Sequence, residues 1–386
     1  LLVGTIFLYD HESYLLFCSL IFNNSLFLVM DFSSIFPILK NYTYLNTAYS
    51  GLLSIDIAKW RAAHDADFVS DVSNFKIKYA SLIDELRTNI SGLFGSKKEN
   101  TFLVNNFSLG FDILLNGLDR KHRFLLLKED YPSIRNPVIS MGFDFRDVAI
   151  DENIEENIIN AIQDFKPTVF AFSMVQYISG FRMDSTFLKK IKATYPDLLL
   201  VADGTQFIGT TGFNFPSSGL DALVGSGYKW LMGGYGNGYV FLSDQIKDQL
   251  YIHRKNATIS KDTWIKKNYL SLCFEPGHLD TLSFGSFRQG LNYLQSLGMD
   301  HIEKNNQQLC QSAREAFYSR GLIPAWMFTR KEQSTIINLP LETEIINRLN
   351  AAGIISSKRG TGLRISFHFY NTTEDLNRFL EVLDRS

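Results

Sequence analysis

The strongest constraint on this chain lies between Leu198 and Leu242. Residues 198–202 are continuously apolar, as a strand covered on both faces must be, and the run stops at Asp203-Gly204. A second apolar run, 222–224, stops at Gly225-Ser226-Gly227-Tyr228-Lys229-Trp230. A glycine-rich turn, Gly233-Gly234-Tyr235-Gly236-Asn237-Gly238, leads into a third strand at 239–242. Two buried strands therefore end in groups of opposite charge, an acid and an amine.

Strands and helices alternate around this stretch. Short apolar strands are expected at 101–104, 124–127 and 168–172, with helices at 154–165 and 186–195 between the later ones. A helix is also expected from Ile55 to about Leu93, stopped by Gly92 and Gly95. Alternation of this kind predicts a mostly parallel sheet with helices on both faces, and ligands in such sheets sit at the carboxyl ends of the strands. Ser108, Tyr131, Tyr177, Asp203 and Lys229 all follow directly on expected strands. Ser108 also falls in the first turn of a helix, where free N–H groups favour an anion; its plainer role is that of a cap. An acid and a lysine at the ends of neighbouring strands are what pyridoxal phosphate needs. The lysine forms a Schiff base, and the acid keeps the pyridine nitrogen protonated.

Two motifs carry a family resemblance. Asp203-Gly204-Thr205-Gln206 and Ser226-Gly227-Tyr228-Lys229, with Lys229 26 residues after Asp203, resemble the core of the class V aminotransferases. This is the branch of the fold-type-I pyridoxal phosphate enzymes that includes cysteine desulfurases. The resemblance runs from about Tyr44 to the C-terminus. It implies a large α/β domain with a mostly parallel seven-stranded sheet flanked by helices, a small α+β C-terminal domain, and a homodimer. By the same resemblance, Ser108, Ser226 and Tyr228 hold the cofactor phosphate, with His278 of Phe274-Glu275-Pro276-Gly277-His278-Leu279-Asp280 reaching the neighbouring subunit's phosphate. A surface-loop histidine is the plainer reading of His278. Tyr131 stacks on the pyridine where desulfurases use His. Tyr177 takes the place of an Asn beside O3′, and Gln206 bonds O3′. Arg364, in Arg364-Ile365-Ser366-Phe367-His368-Phe369-Tyr370-Asn371, binds the substrate carboxylate, a task suited to its planar fork. Tyr49 and Arg359 are placed toward the substrate side chain, where an arginine suits an acidic substrate; Tyr49 reads equally as a packing aromatic in a short strand at 42–51.

The expected activity is that of a class V aminotransferase, converting an amino acid with a 2-oxo acid as partner. Epimerisation, β-elimination of the cysteine or selenocysteine lyase kind, and a non-catalytic protein of this fold are the alternatives. Desulfurases need a nucleophilic Cys on the loop before the Arg364 strand. Here that loop is Ile355-Ser356-Ser357-Lys358-Arg359-Gly360-Thr361-Gly362, without one. Cys273 and Cys310 fall in an expected strand and an expected helix, the usual setting of inert thiols.

A chain of 386 residues exceeds one ordinary core. Expected divisions are an apolar or non-native extension at 1–29, a segment at the mouth of the site at 30–58, a large cofactor domain at 59–297, and a small domain at 298–386. Residues 1–29 hold no Lys or Arg, and Met30 reads as a start. A formal charge of −2 argues against a nucleic-acid partner, and the apolar runs at the N-terminus are too interrupted for a membrane helix. Three scattered cysteines suggest a reducing, cytoplasmic setting, and the seven His form no metal-ligand spacing.

Overall fold

The computed structural model describes residues 31–255 and 268–385. The expectation for the extension at 1–29, and with it Cys18, lies outside the described residues. The strands are β1 (Thr43–Tyr44), β2 (Thr101–Val104), β3 (Arg123–Leu127), β4 (Asp144–Val148), β5 (Val169–Ser173), β6 (Leu199–Asp203), β7 (Ala222–Ser226), β8 (Gly238–Leu242), β9 (Ile336–Leu339), β10 (Ile354–Ile355), β11 (Ser357–Arg359) and β12 (Gly362–Ser366).

Seven strands form one sheet in the order β2-β8-β7-β6-β5-β3-β4. Only β8 runs against the others. The strand sequences explain why the sheet is covered on both sides. Along β5 and β6 each residue is buried, and alternate side chains enter different cores. Phe170, Phe172, Leu200 and Ala202 pack in one layer, and Val169, Ala171, Leu199 and Val201 in the other. The seventh strand, β4, had no apolar run to announce it. It is Asp-Phe-Arg-Asp-Val at the sheet edge, with Asp144 paired to Arg123 across the ladder, and charge of this kind protects an edge from further pairing.

The single helix expected from Ile55 to Leu93 is instead three: Ile55–Ser70, Val72–Lys78 and Leu82–Phe94. Asp71 breaks the run because its carboxylate accepts from the N–H groups of Ser73 and Asn74, capping a new helix from an extended backbone. Gly92 is helical; the stop is Gly95, in the left-handed conformation at φ 70°. Cys273, expected in a strand, lies in the helix Tyr269–Phe274, whose start is capped by Asn268. The aromatic strand expected at 42–51 is strand only at β1. Beyond Asn46 the chain turns, with the N–H groups of Tyr49 and Ser50 donating to Asn46 O, and the flanking backbone bonds go to other segments.

Those bonds fix the site. β1 pairs in parallel with β10, Ser366 N–H donates to Leu45 O, and Gly51 N–H donates to Tyr228 O at 2.9 Å. A Cβ at Gly51 would lie 2.0 Å from Lys229 O, so only glycine allows this approach. The C-terminal part is a three-stranded antiparallel sheet, β11-β12-β9, under the helices Met299–Tyr318, Thr343–Ala351 and Thr373–Leu383. Its own apolar cluster includes Leu309, Phe317, Ile337, Ile365 and Phe379.

Candidate active site

The carboxyl ends of β2, β3, β5, β6 and β7 converge on a cavity of about 340 Å³. It is lined by Ser108, Tyr131, Tyr177, Asp203, Gln206, Ser226, Tyr228 and Lys229, eight of the residues singled out in the sequence. Arg364, Arg359 and Tyr49 are not in its wall. His278 is exposed and lies in a separate concavity with Lys76, Arg87 and Lys98, so one chain does not bring it to Lys229.

Asp203 ends β6 and Lys229 follows β7, the neighbouring strand. Burial pushes the Asp203 carboxyl up, to about 7, against hydrogen bonds from Thr205 and the attraction of Lys229. Burial lowers the Lys229 ammonium, to about 8, against the attraction of Asp203, and the cations Arg364 and Arg359 lower it further. The pair is thus an acid made less acidic and an amine made less basic by one dry environment.

Thr205 locks this pair in place. Its N–H donates to Asp203 Oδ1 at 2.7 Å, and its Oγ1 accepts from Ser226 N–H at 3.1 Å. Ser226 Oγ accepts from Phe107 N–H at 2.9 Å, which ties β7 to the start of the helix Phe107–Gly117. Ser108 Oγ bonds Ser133 Oγ at 2.8 Å. Hydroxyls and a helix N-terminus therefore gather at one end of the cavity, an arrangement suited to a phosphate.

Gln206 is buried and committed. Its Nε2 donates to Ala48 O, and its Oε1 accepts from Trp230 Nε1–H, both at 2.9 Å. Trp230 O in turn bonds His368 Nε2 at 3.1 Å, and burial pulls that imidazole down to about 3, so it is neutral and donates. This chain supports the lysine turn from below.

Tyr131 and Tyr177 meet edge to face, with ring centroids 5.4 Å apart. Each is held by an acid or amide the sequence had not marked. Asp130 is buried, and its carboxylate accepts from Tyr131 N–H, Ser173 N–H and Ser173 Oγ–H at 2.6–2.8 Å. Gln176 Oε1 accepts from the N–H groups of Ile178 and Ser179, shaping the Tyr177 loop. Asn105, Asn106, Phe107, Ser173, Thr205, Tyr235 and Gly236 line the cavity unforeseen. Tyr235 stacks on Tyr228 at 4.8 Å. Thr205 was within reach of sequence reasoning, since it stands inside the Asp-Gly-Thr-Gln motif.

Arg364, on β12, is 2% exposed and donates to Tyr177 O at 2.6 Å. Arg359, on β11, is half-buried, with its guanidinium 5.5 Å from the Tyr49 ring centroid. Among the described residues no cluster of His, Cys, Asp or Glu could hold a metal, and no helix is long and apolar enough to cross a membrane.

The donor set fits pyridoxal phosphate. A buried carboxyl with an uncompensated cost of ionising suits a pyridinium, a buried amine near neutrality suits an aldehyde, and the hydroxyl end suits a phosphate.

The family profile "Aminotransferase class-V" matches residues 56–379. A probable cysteine desulfurase of Ureaplasma parvum serovar 3 is 23% identical, over 92% of this chain and 96% of its own length. An uncharacterized aminotransferase of Bacillus subtilis is 20% identical over the same shares. Among solved structures, the apo cysteine desulfurase of Thermococcus onnurineus NA1 superposes with a TM-score of 0.78 at 17% identity, covering 91% of this chain and 96% of its own. The cystine C-S lyase C-DES gives 0.77 at 19%, covering 90% and 99%. The chain belongs to the class V aminotransferases, enzymes that act on amino acids through pyridoxal phosphate.

Proposed function

We propose that this chain is an aminotransferase in which Lys229 carries the cofactor and Asp203 serves its ring nitrogen. The observation that carries the reading is the burial of these two groups together, at the ends of neighbouring strands, beside a hydroxyl-lined helix start. Bound there, pyridoxal phosphate supplies an electron sink when a substrate Cα loses its proton. Lys229, kept near neutrality by burial, moves that proton to and from Cα. Ser108, Ser226 and Tyr228 would hold the cofactor's phosphate, and Tyr131, Tyr177 and Gln206 would line the place of its ring. Arg364 takes the substrate carboxylate. Residues 30–58, 59–297 and 298–386 serve as the mouth segment, the large domain and the small domain. Two subunits complete two sites, with His278 crossing to the partner, and the cytoplasm is the setting.

Amino transfer rather than persulfide formation is supported by the hairpin that replaces the desulfurase loop. It carries Arg359 and no thiol. Burial raises both described thiols, Cys310 to about 11, and neither lines the cavity. A second reading, β-elimination, is favoured by the fold shared with a cystine C-S lyase, because elimination needs no protein thiol either.

Product counting separates them. With one amino acid and no 2-oxo acid acceptor, transfer yields one equivalent of 2-oxo acid per site and no ammonia. Continued release of 2-oxo acid and ammonia in equal amounts would establish elimination instead. Borohydride reduction followed by peptide mapping should place the label on Lys229; label on another lysine overturns the assignment.

A further inference from the structure

We propose that Arg359 recognises a second negative charge on the substrate, so that the enzyme takes amino acids with an anionic side chain. The inference rests on the reading of the cavity as the amino-acid site and adds the substrate class to it.

The hairpin register puts two arginines on one face. Arg364 pairs with Ser357, and Arg359 pairs with Gly362 across β11 and β12. Residues opposite one another on an antiparallel pair share a face, as do residues two apart on a strand. Arg359 and Arg364 are therefore diagonal neighbours on the same side, with backbones about 7–8 Å apart. That side turns toward residues 46–48 and the Tyr177 loop, and both cations act on Lys229. Ser366, two residues beyond Arg364, accepts from Ala48 N–H, and Ser357 Oγ donates to Asn46 Oδ1. Asn338 Nδ2 donates both to Ile178 O and to Arg359 O, which fastens the hairpin to the loop of Tyr177.

Among the described residues neither arginine is paired with an acid. Their hydrogen bonds go to the carbonyls of Tyr177 and Lys358. Burial lowers Arg364 to about 10, and the nearby Arg359 adds to that shift, so the two cations repel one another across the hairpin face. The Tyr49 ring holds the Arg359 guanidinium without using its N–H donors. An amino acid with a neutral side chain brings one carboxylate, enough for Arg364 alone. A dianionic amino acid brings the second charge that Arg359 lacks.

The test uses the cofactor-loaded enzyme and unreactive acids. Glutarate and succinate are titrated against butyrate, with the cofactor's visible absorbance as readout. A dicarboxylate should bind at least ~10-fold more tightly than butyrate, the effect of one charge-assisted hydrogen-bonded contact. In Arg359→Gln that ratio should fall toward one, and in Arg359→Lys part of it should return. Equal affinities in the parent enzyme, no binding of either dicarboxylate, or a ratio that survives in Arg359→Gln overturns the inference. Binding of dead-end acids involves no turnover, so an enzyme that proves to be a lyase can still pass, and a proven aminotransferase can still fail.

Discussion

Thr205 Oγ1 accepts the Ser226 N–H at 3.1 Å, and through this bond the strand end carrying Asp203 is fastened to the strand end leading to Lys229. Thr205→Val keeps the shape and removes the acceptor, leaving a buried N–H unpaired at a cost of about 1–3 kcal/mol. Melting temperature and cofactor affinity should both fall, and Thr205→Ser should recover most of each. A Val variant with parental cofactor affinity would show that the two strand ends are aligned by other contacts.

The cofactor-free protein should be least stable near neutrality on account of the buried pair. Asp203 is raised by burial, so its contribution is complete below about 3.8 and is lost as pH rises through about 7. Lys229 is lowered by burial, so its contribution is complete above about 10.5 and is lost as pH falls through about 8. Asp203→Asn removes the first cost. It should stabilise the cofactor-free protein at pH 7.5, by roughly 1–3 kcal/mol, while activity of the loaded enzyme collapses. Chemical denaturation of both proteins at pH 5 and pH 7.5 checks the sign. A stability difference that does not grow in favour of the variant between those values contradicts it.

Gly51 is a contact glycine. Gly51→Ala would drive a methyl group into the Lys229 carbonyl, a clash with backbone that no rotamer relieves. The variant should lose about 1–3 kcal/mol or more of stability and release cofactor more readily. Unchanged cofactor retention on gel filtration would mean that the mouth segment can move aside freely.

The separation of His278 from the cavity of its own chain leads to a complementation test. Lys229→Ala and His278→Ala are each expected to be impaired. In a dimer with shared sites, mixing them gives heterodimers in which one site carries both defects and the other carries neither. Activity above either parent is expected after subunit exchange. No recovery despite demonstrated exchange, or a fully active monomer, rules the shared site out.

The buried strands and the Asp203–Lys229 frame were legible because uninterrupted apolar runs have few ways to fold, and a polar residue at their end is conspicuous. β4 was not legible, since an edge strand is half-exposed and its alternating charges look like loop. The break at Asp71 was hidden because an N-cap acts through one side-chain geometry, which apolar spacing does not register. Asp130 and Gln176 went unmarked for a related reason: a residue that holds a loop by accepting its N–H groups leaves no pattern outside that loop. The placement of Arg359 and Arg364 on one face depends on hairpin register, which is fixed only when β11 and β12 meet.

The bonds from residues 43–51 also set an order of events in biosynthesis. Leu45 and Asn46 bind Ile355 and Ser366, and Thr47 meets the Tyr370 hydroxyl, across more than 300 residues of intervening chain. Contacts so distant in sequence form late, because the loop between them must close first. A ribosome-bound chain can complete β2 to β8 and still lack the partners that press Gly51 against the lysine turn. Firm retention of cofactor would then report that translation has passed Tyr370, and a message cut short before Ser366 would yield a sheet without a working enzyme.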